Sequence, residues 1–351
     1  ILFSMIYIKI RNNVGFKKTY HIVMTFFILF FAIFNYILYP LADYIHPSPE
    51  MIHSLQLSMP AVSNFFGLVG VWSFSLYYVM SELWGTYTLS VLFWQFDNEN
   101  IATSESKRYY PTFILIGNLS LIFLSYVLDY ISANYSGGAE INFINNTIVL
   151  CGLCMMGLFQ FTNQVILSQE RFQSEGSKKK KKSKLSLSDS LKVLFKSEYV
   201  LYIAIIVLSY GIMINIFEVV WKDQLRLVVS DRGEFLHFMS SYTFFTGVST
   251  IILIYLSMYI IRKLGWFITA AITPIMTTVT CTIFFLYCLN TESFDPWLAS
   301  IGAGAMFAVM FGAIGVVMSK SSKYAFFDPT KEMSFIPLSD DLRASGKAAV
   351  D

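Results

Sequence analysis

The sequence predicts an all-α membrane protein in two helical halves joined by a basic linker. Three observations lead there: the chain is too apolar for water, its apolar runs have bilayer length, and its basic residues fall almost wholly on alternate connections. Of 351 residues, 55% are hydrophobic and 14% charged, where a soluble domain carries about 25% charged residues. A soluble core would leave almost nothing polar to face solvent, so lipid must cover much of the surface. The net charge of +2 says nothing about partners; the placement of the charges does.

A hydrocarbon core of about 30 Å needs about 20 apolar residues as helix. Complete runs of that length lie near 17–39, 61–96, 109–132, 144–168, 198–221, 235–261, 264–289 and 297–319, and residues 1–10 read as the end of one more. The run at 61–96 is too long for one upright span. It must tilt, kink at Gly67, Gly70 or Gly85, or project from the membrane. All the runs far exceed the roughly 9–11 residues of a membrane strand, so helices are the only option.

Orientation follows from Lys and Arg. With 11–18 placed inside, every one of the 25 basic residues except Lys222, Arg226 and Arg232 falls on an inside connection. The inside set includes Lys107, Arg108, Lys178 to Lys182, Lys320 and Lys323. This is a strong positive-inside asymmetry.

The segment 169–197 holds Gly-Ser, five lysines and a Ser-rich stretch, and reads as a solvated cytoplasmic connection. Binding to anionic lipid is the sharper alternative. The domains are then a partial N-terminal bundle at 1–168, the linker at 169–197, and a partial C-terminal bundle at 198–351. The chain opens mid-helix without Met and closes in a polar segment, so both ends read as truncations. If the missing ends complete each half, the whole is a bundle of about twelve spans, six plus six, the layout of many secondary transporters.

Ionisable groups inside a membrane are expensive and mark function by default. Glu82 lies deep in the 61–96 run, with mostly apolar residues on both sides; the structural alternative is a fixed pair with a neighbouring helix. Glu218 has Lys222 four residues on, a spacing that also stabilises exposed helix ends. Asp129 lies close enough to an outer end for water to reach it. Gln160, Asn163 and Gln164 share one helix side, as do Asn215 and Glu218, and Asn118 follows Gly117; such amides commonly bridge helices. Gly302, Gly304, Gly312 and Gly315 read as close-packing sites.

Other chemistry has little support. Cys151, Cys154, Cys281 and Cys288 lie in apolar runs and read as small packing residues. No GxxxxGK[ST] is present, so the chain is not an ATP-hydrolysing P-loop pump. His21, His46, His53 and His237 show no metal-ligand spacing, and no nucleophile motif can be read.

Several stretches, in order along the whole chain, resemble the ATP/ADP translocase (nucleotide transporter) family of rickettsiae, chlamydiae and plastids. They are Ser81-Glu-Leu-Trp-Gly85, Leu92-Phe-Trp-Gln-Phe96, Lys107-Arg-Tyr-Tyr110, Tyr210-Gly-Ile-Met-Ile-Asn-Ile-Phe-Glu218, Trp221-Lys222, Lys323-Tyr-Ala-Phe-Phe-Asp-Pro-Thr-Lys-Glu-Met333, Ile336-Pro-Leu338 and Gly346-Lys-Ala-Ala-Val-Asp351. The resemblance implies a major-facilitator-like fold of twelve spans in a bacterial inner membrane. It implies exchange of ATP for ADP by alternating access, with both as transported substrates and no cofactor. It places transport glutamates at Glu82 and Glu218. A proton-coupled nucleotide importer is the alternative, and a membrane receptor without transport is a third. Neither a nucleic acid nor an obligate protein partner is implied, and enzymatic activity is not expected. The family usually reads Phe-Ala-Asn-Gln where this chain has Phe96-Asp97-Asn98-Glu99, which adds two acidic groups at the inner mouth.

Nucleotide phosphates require cations or helix N-termini. The complete apolar runs hold no central Lys or Arg. The expected phosphate ligands are therefore at the mouths, Lys222 and Arg226 outside and Lys107, Arg108, Lys320 and Lys323 inside, or in the missing ends.

Overall fold

The computed structural model describes residues 2–100, 103–167, 197–300, 306–338 and 350, and among them no strand occurs. The principal helices are α1 (Leu2–Val14), α2 (Phe16–Ile33), α3 (Trp72–Gly85), α4 (Thr103–Asn134), α5 (Ala139–Phe161), α6 (Glu198–Val228), α7 (Arg232–Leu289) and α8 (Met306–Ser322). π-helical turns extend four of them: Phe34–Leu38 after α2, Thr86–Phe93 after α3, Thr162–Ile166 after α5 and Lys323–Phe327 after α8.

Five stretches among the described residues are long and apolar enough to cross a bilayer: Phe16–Leu38, Leu115–Asn134, Ala139–Ile166, Glu198–Val228 and Arg232–Leu289. The last has 58 residues and is two spans in one, because Gly265 (φ 82, ψ 178) breaks it. Only glycine takes that backbone conformation at little cost, and the break falls at the start of the run expected at 264–289, just past the end of the run at 235–261. The run at 61–96 is also broken. Pro60–Gly70 and Trp72–Asp97 meet at 80°; the non-helical joint is Val71 (φ -121, ψ 40), directly after Gly70, and neither Gly67 nor Gly85 is the kink.

The expected end of the last run, at residue 319, needs correction. The helix does not stop there; it passes through the π turn Lys323–Phe327 into Asp328–Ser334. The polar residues at 319–322 are not an exit into water but a buried seam. Ser319, Ser321 and Ser322 are all inaccessible to solvent. The Tyr210 hydroxyl donates to Ser319 O at 3.1 Å, the Thr273 hydroxyl to Ser322 O at 3.1 Å, and the Thr250 hydroxyl to Ser321 Oγ at 3.1 Å. Lys320 and Lys323 are thereby mid-helix residues.

The chain folds as two compact units, one of residues 1–107 and 137–180, the other of 108–136 and 181–351. The linker expected at 169–197 lies outside the described residues except for Ser197, whose hydroxyl accepts from Val200 N and caps α6. In the first unit the apolar faces of α2, α3 and α5 enclose Met24, Phe27, Phe31 and Leu92. Tyr20 and Phe159 stack at 3.8 Å. In the second unit the buried residues of α6 include Tyr210, Ile214, Phe217, Trp221 and Leu225, the three-and-four spacing of one helix face. The C-terminal part of α4 packs here too, with Gly247 of α7 pressed against Ile122 and Asn118.

Close approach of α8 to α6 depends on two glycines. A Cβ at Gly312 would fall on Trp221 Cδ1, and one at Gly315 would come within 2.6 Å of Phe217 Cζ. Both partners are fully buried. Gly312→Ala is therefore expected to cost about 1–3 kcal/mol through overpacking, seen as a lower unfolding temperature in detergent. A temperature equal to wild type would contradict this close contact.

Candidate functional site

The second unit holds a charge cluster that sequence spacing only half reveals. Lys222 Nζ lies 2.8 Å from Glu218 Oε1, as the i,i+4 spacing on α6 requires. Lys320 Nζ, from α8, lies 2.7 Å from Glu218 Oε2. Each carboxylate oxygen thus holds its own ammonium group. Lys320 also sits 5.8 Å above the ring of Tyr242 on α7. One helical turn on, Lys323 pairs with Asp328 at 2.9 Å and stands 4.6 Å from the Tyr324 ring centroid.

The cluster is neither sealed nor freely solvated. Side-chain exposure is 19% for Glu218 and 37% for Lys222, and 32% for Lys320. On α6 the open stripe continues through Asn215 and Gly211, whose carbonyl accepts from Asn215 Nδ2 at 2.7 Å. With Lys323 and Asp328 cancelling, two ammonium groups face one carboxylate and an unmatched positive charge remains. An accessible site with surplus positive charge and a carboxylate that can release its partners suits an anion that enters and leaves.

This overturns the expected layout of the cations. Lys222 and Lys320 do not mark opposite mouths, because both touch the same carboxylate. Nor are the spans without a central cation. Lys107 and Arg108 are on the first turns of α4, and their side chains lie outside the described residues.

Glu82 is on the exposed side of α3, away from the face that carries Tyr77, Met80 and Trp84 into the core. Among the described residues it makes no hydrogen bond or ion pair. Ser75, Tyr78 and Thr86 share its face by helical spacing. Glu82 belongs to the first unit and Glu218 to the second. Asp129 is paired, at 2.6 Å from Nδ1 of His237.

One carboxylate was passed over by sequence reasoning and another was misplaced. Glu140 is almost fully buried and its Oε2 accepts from Gly138 N at 2.9 Å; the Gly137-Gly138 pair just before a helix start was the available signal. Asp97 is buried as well, so it is not an open acidic group at a mouth. Of the amides expected to bridge helices, Gln160 does so, with His21 Nε2 and Gln160 Oε1 3.3 Å apart, whereas Asn163 and Asn215 donate to Phe159 O and Gly211 O on their own helices; Asn145, which accepts from Tyr77 at 3.1 Å, is a bridge not singled out from sequence.

Comparison with known proteins adds what geometry does not. A family model described as TLC ATP/ADP transporter matches residues 1–351. ADP,ATP carrier protein 3 of Rickettsia bellii is 35% identical over 372 residues, covering 100% of this chain and 74% of the relative. ADP,ATP carrier protein 3 of Rickettsia conorii is 36% identical over 369 residues, with 100% and 74% covered. ADP,ATP carrier protein 1 of Chlamydia pneumoniae is 36% identical over 368 residues, with 100% and 71% covered. No solved structure matches. A match along the whole chain, on a multi-span helical framework with charges set inside it, leads to one conclusion: the chain belongs to the TLC ATP/ADP transporter family.

Proposed function

We propose that this protein exchanges ATP for ADP across a bacterial inner membrane by alternating access, with its basic linker in the cytoplasm. The observation that carries the reading is Glu218 held between Lys222 and Lys320 on the open face of α6. In the empty carrier Glu218 neutralises part of the local positive charge. An arriving polyphosphate takes the ammonium groups from it, and the displaced carboxylate takes them back on release. A carrier that closes over its site only when the lysines are so satisfied exchanges one nucleotide for another. It does not run empty, and it has no hydrolytic step to perform.

Glu82 enters as the second charge. Its stripe on α3 carries a hydroxyl or carboxyl group at Ser75, Tyr78, Glu82 and Thr86, a pattern that belongs on a water-lined path and not against acyl chains. Glu82→Gln is expected to lower exchange of labelled ATP for internal ADP in proteoliposomes severely while leaving protein yield intact. Unchanged exchange would remove Glu82 from the mechanism. A proton-coupled importer would use the same carboxylates, but both oxygens of Glu218 are already engaged by ammonium groups, which favours exchange.

A further inference from the structure

Between α2 and α3 the chain makes a small helical hairpin apart from the Glu218 cluster. Pro49–Ser58 and Ser63–Gly70 pack against one another, with Ile52 Cγ1 3.0 Å from a Cβ built at Gly70 and Gln56 Nε2 donating to Ser63 O at 3.2 Å. The hairpin is fixed to the span that follows. Ser75 Oγ donates to Leu68 O at 3.0 Å, Trp72 Nε1 to Ile45 O at 3.1 Å, and His46 Nε2 and Ser73 Oγ are 2.8 Å apart. Pro60–Gly70 is thus held at 80° to Trp72–Asp97. With Trp72–Asp97 upright in the bilayer, a helix at that angle runs along the membrane plane.

Its two layers differ in chemistry. The exposed residues of Pro49–Ser58 include Glu50, His53 and Ser54 beside the apolar Met51 and Leu57. Ser63–Gly70 has no charged residue, and it leaves Phe65 61% and Leu68 59% exposed. The apolar stripe does not end at the bend but runs on into Trp72, Leu76 and Val79 of α3, all exposed. No Lys or Arg occurs between Lys18 and Lys107, which places the hairpin on the outer side by the positive-inside rule.

We propose that the hairpin is an interfacial anchor, with Phe65 and Leu68 inserted at the boundary of headgroups and acyl chains of the outer leaflet and Glu50 and His53 turned to water. A layer that holds the hairpin's ionisable groups over one that has none, lying in plane and continuous with an exposed apolar stripe, is the arrangement of interfacial amphipathic helices. Trp72 at the junction is of the residue type enriched at that depth.

The test places a nitroxide at single cysteines in a background with the native cysteines replaced by serine. Phe65→Cys and Leu68→Cys report the apolar layer and Ser54→Cys the polar one, each in transport-active proteoliposomes. Power saturation with oxygen and with a water-soluble nickel chelate should give an oxygen-to-nickel accessibility ratio several-fold higher at 65 and 68 than at 54. Two results overturn the proposal. High nickel access at 65 and 68 would place the hairpin in water, and low access to both reagents would mean that protein covers it. Neither result bears on nucleotide exchange at Glu218, so the two proposals stand or fall separately.

Discussion

Lys320→Gln should weaken nucleotide binding, raising the KM for both ATP and ADP while the protein still folds. The loss reflects one charge-assisted contact to phosphate at a partly open site. Removing one member of a desolvated charge pair costs about 2–5 kcal/mol, and exposure of the site argues for the lower end. At about 1.4 kcal/mol per factor of ten, the shift is on the order of thirty-fold. Glu218→Gln should act with the opposite sign on KM. It removes the competitor for both ammonium groups, so phosphate binds more tightly and leaves more slowly. KM should fall together with the maximal rate of exchange. These opposed shifts in KM separate a transport role for the cluster from a structural one, which would lower protein yield in both variants and leave KM unmoved. If the two substitutions move KM in the same direction, the competition between carboxylate and phosphate is wrong.

Trp221→Ala should produce the largest loss of stability of any single truncation in the second unit. Trp221 is fully buried, lies 4.9 Å from the Tyr242 ring, and donates its indole N–H to Val309 O at 2.9 Å. Truncation leaves a cavity and removes the indole's hydrogen bond to α8. Large aromatic truncations cost about 3–5 kcal/mol, a large part of the 5–15 kcal/mol or so that typically separates folded from unfolded. The variant should lose its cooperative thermal transition in detergent or show it at a much lower temperature. The same residue also borders the charge cluster, since Lys222 follows it on α6 and Tyr242 lies under Lys320. Loss of transport in Trp221→Ala would therefore not by itself separate site from fold, and the thermal transition is the readout that does. A transition at the wild-type temperature would mean that α8 does not depend on this contact.

The sequence carried the spans because lipid imposes a length, and length is legible. The breaks after Gly70 and at Gly265 could be anticipated, since each falls where an apolar run is too long or two runs nearly touch. Glu82 and Glu218 stood out because a carboxylate among apolar residues has few explanations. The end of α8 misled for a related reason. Ser319 to Lys323 look like an exit into water when read along one helix, and only Thr250, Thr273 and Tyr210 on other helices turn that polarity inward. The partner of Glu218 was hidden by the same misreading. Spacing on α6 displayed Lys222, whereas Lys320 is about a hundred residues away and was assigned to a mouth. Contacts between distant segments leave no periodic trace in a single sequence, so half of the cluster could be read and half could not.

The π turn at Lys323–Phe327 holds one residue more than an α-helix of the same rise would. That surplus residue is slack stored in the rod. Paying it out, so that the turn tightens to ordinary α geometry, swivels everything on one side of it by about 100° relative to the other, the angle of a single residue. Lys320 is on one side of the swivel and Asp328 on the other. A rotation of that size would swing an ammonium group from one compass point of the helix to another without unwinding it.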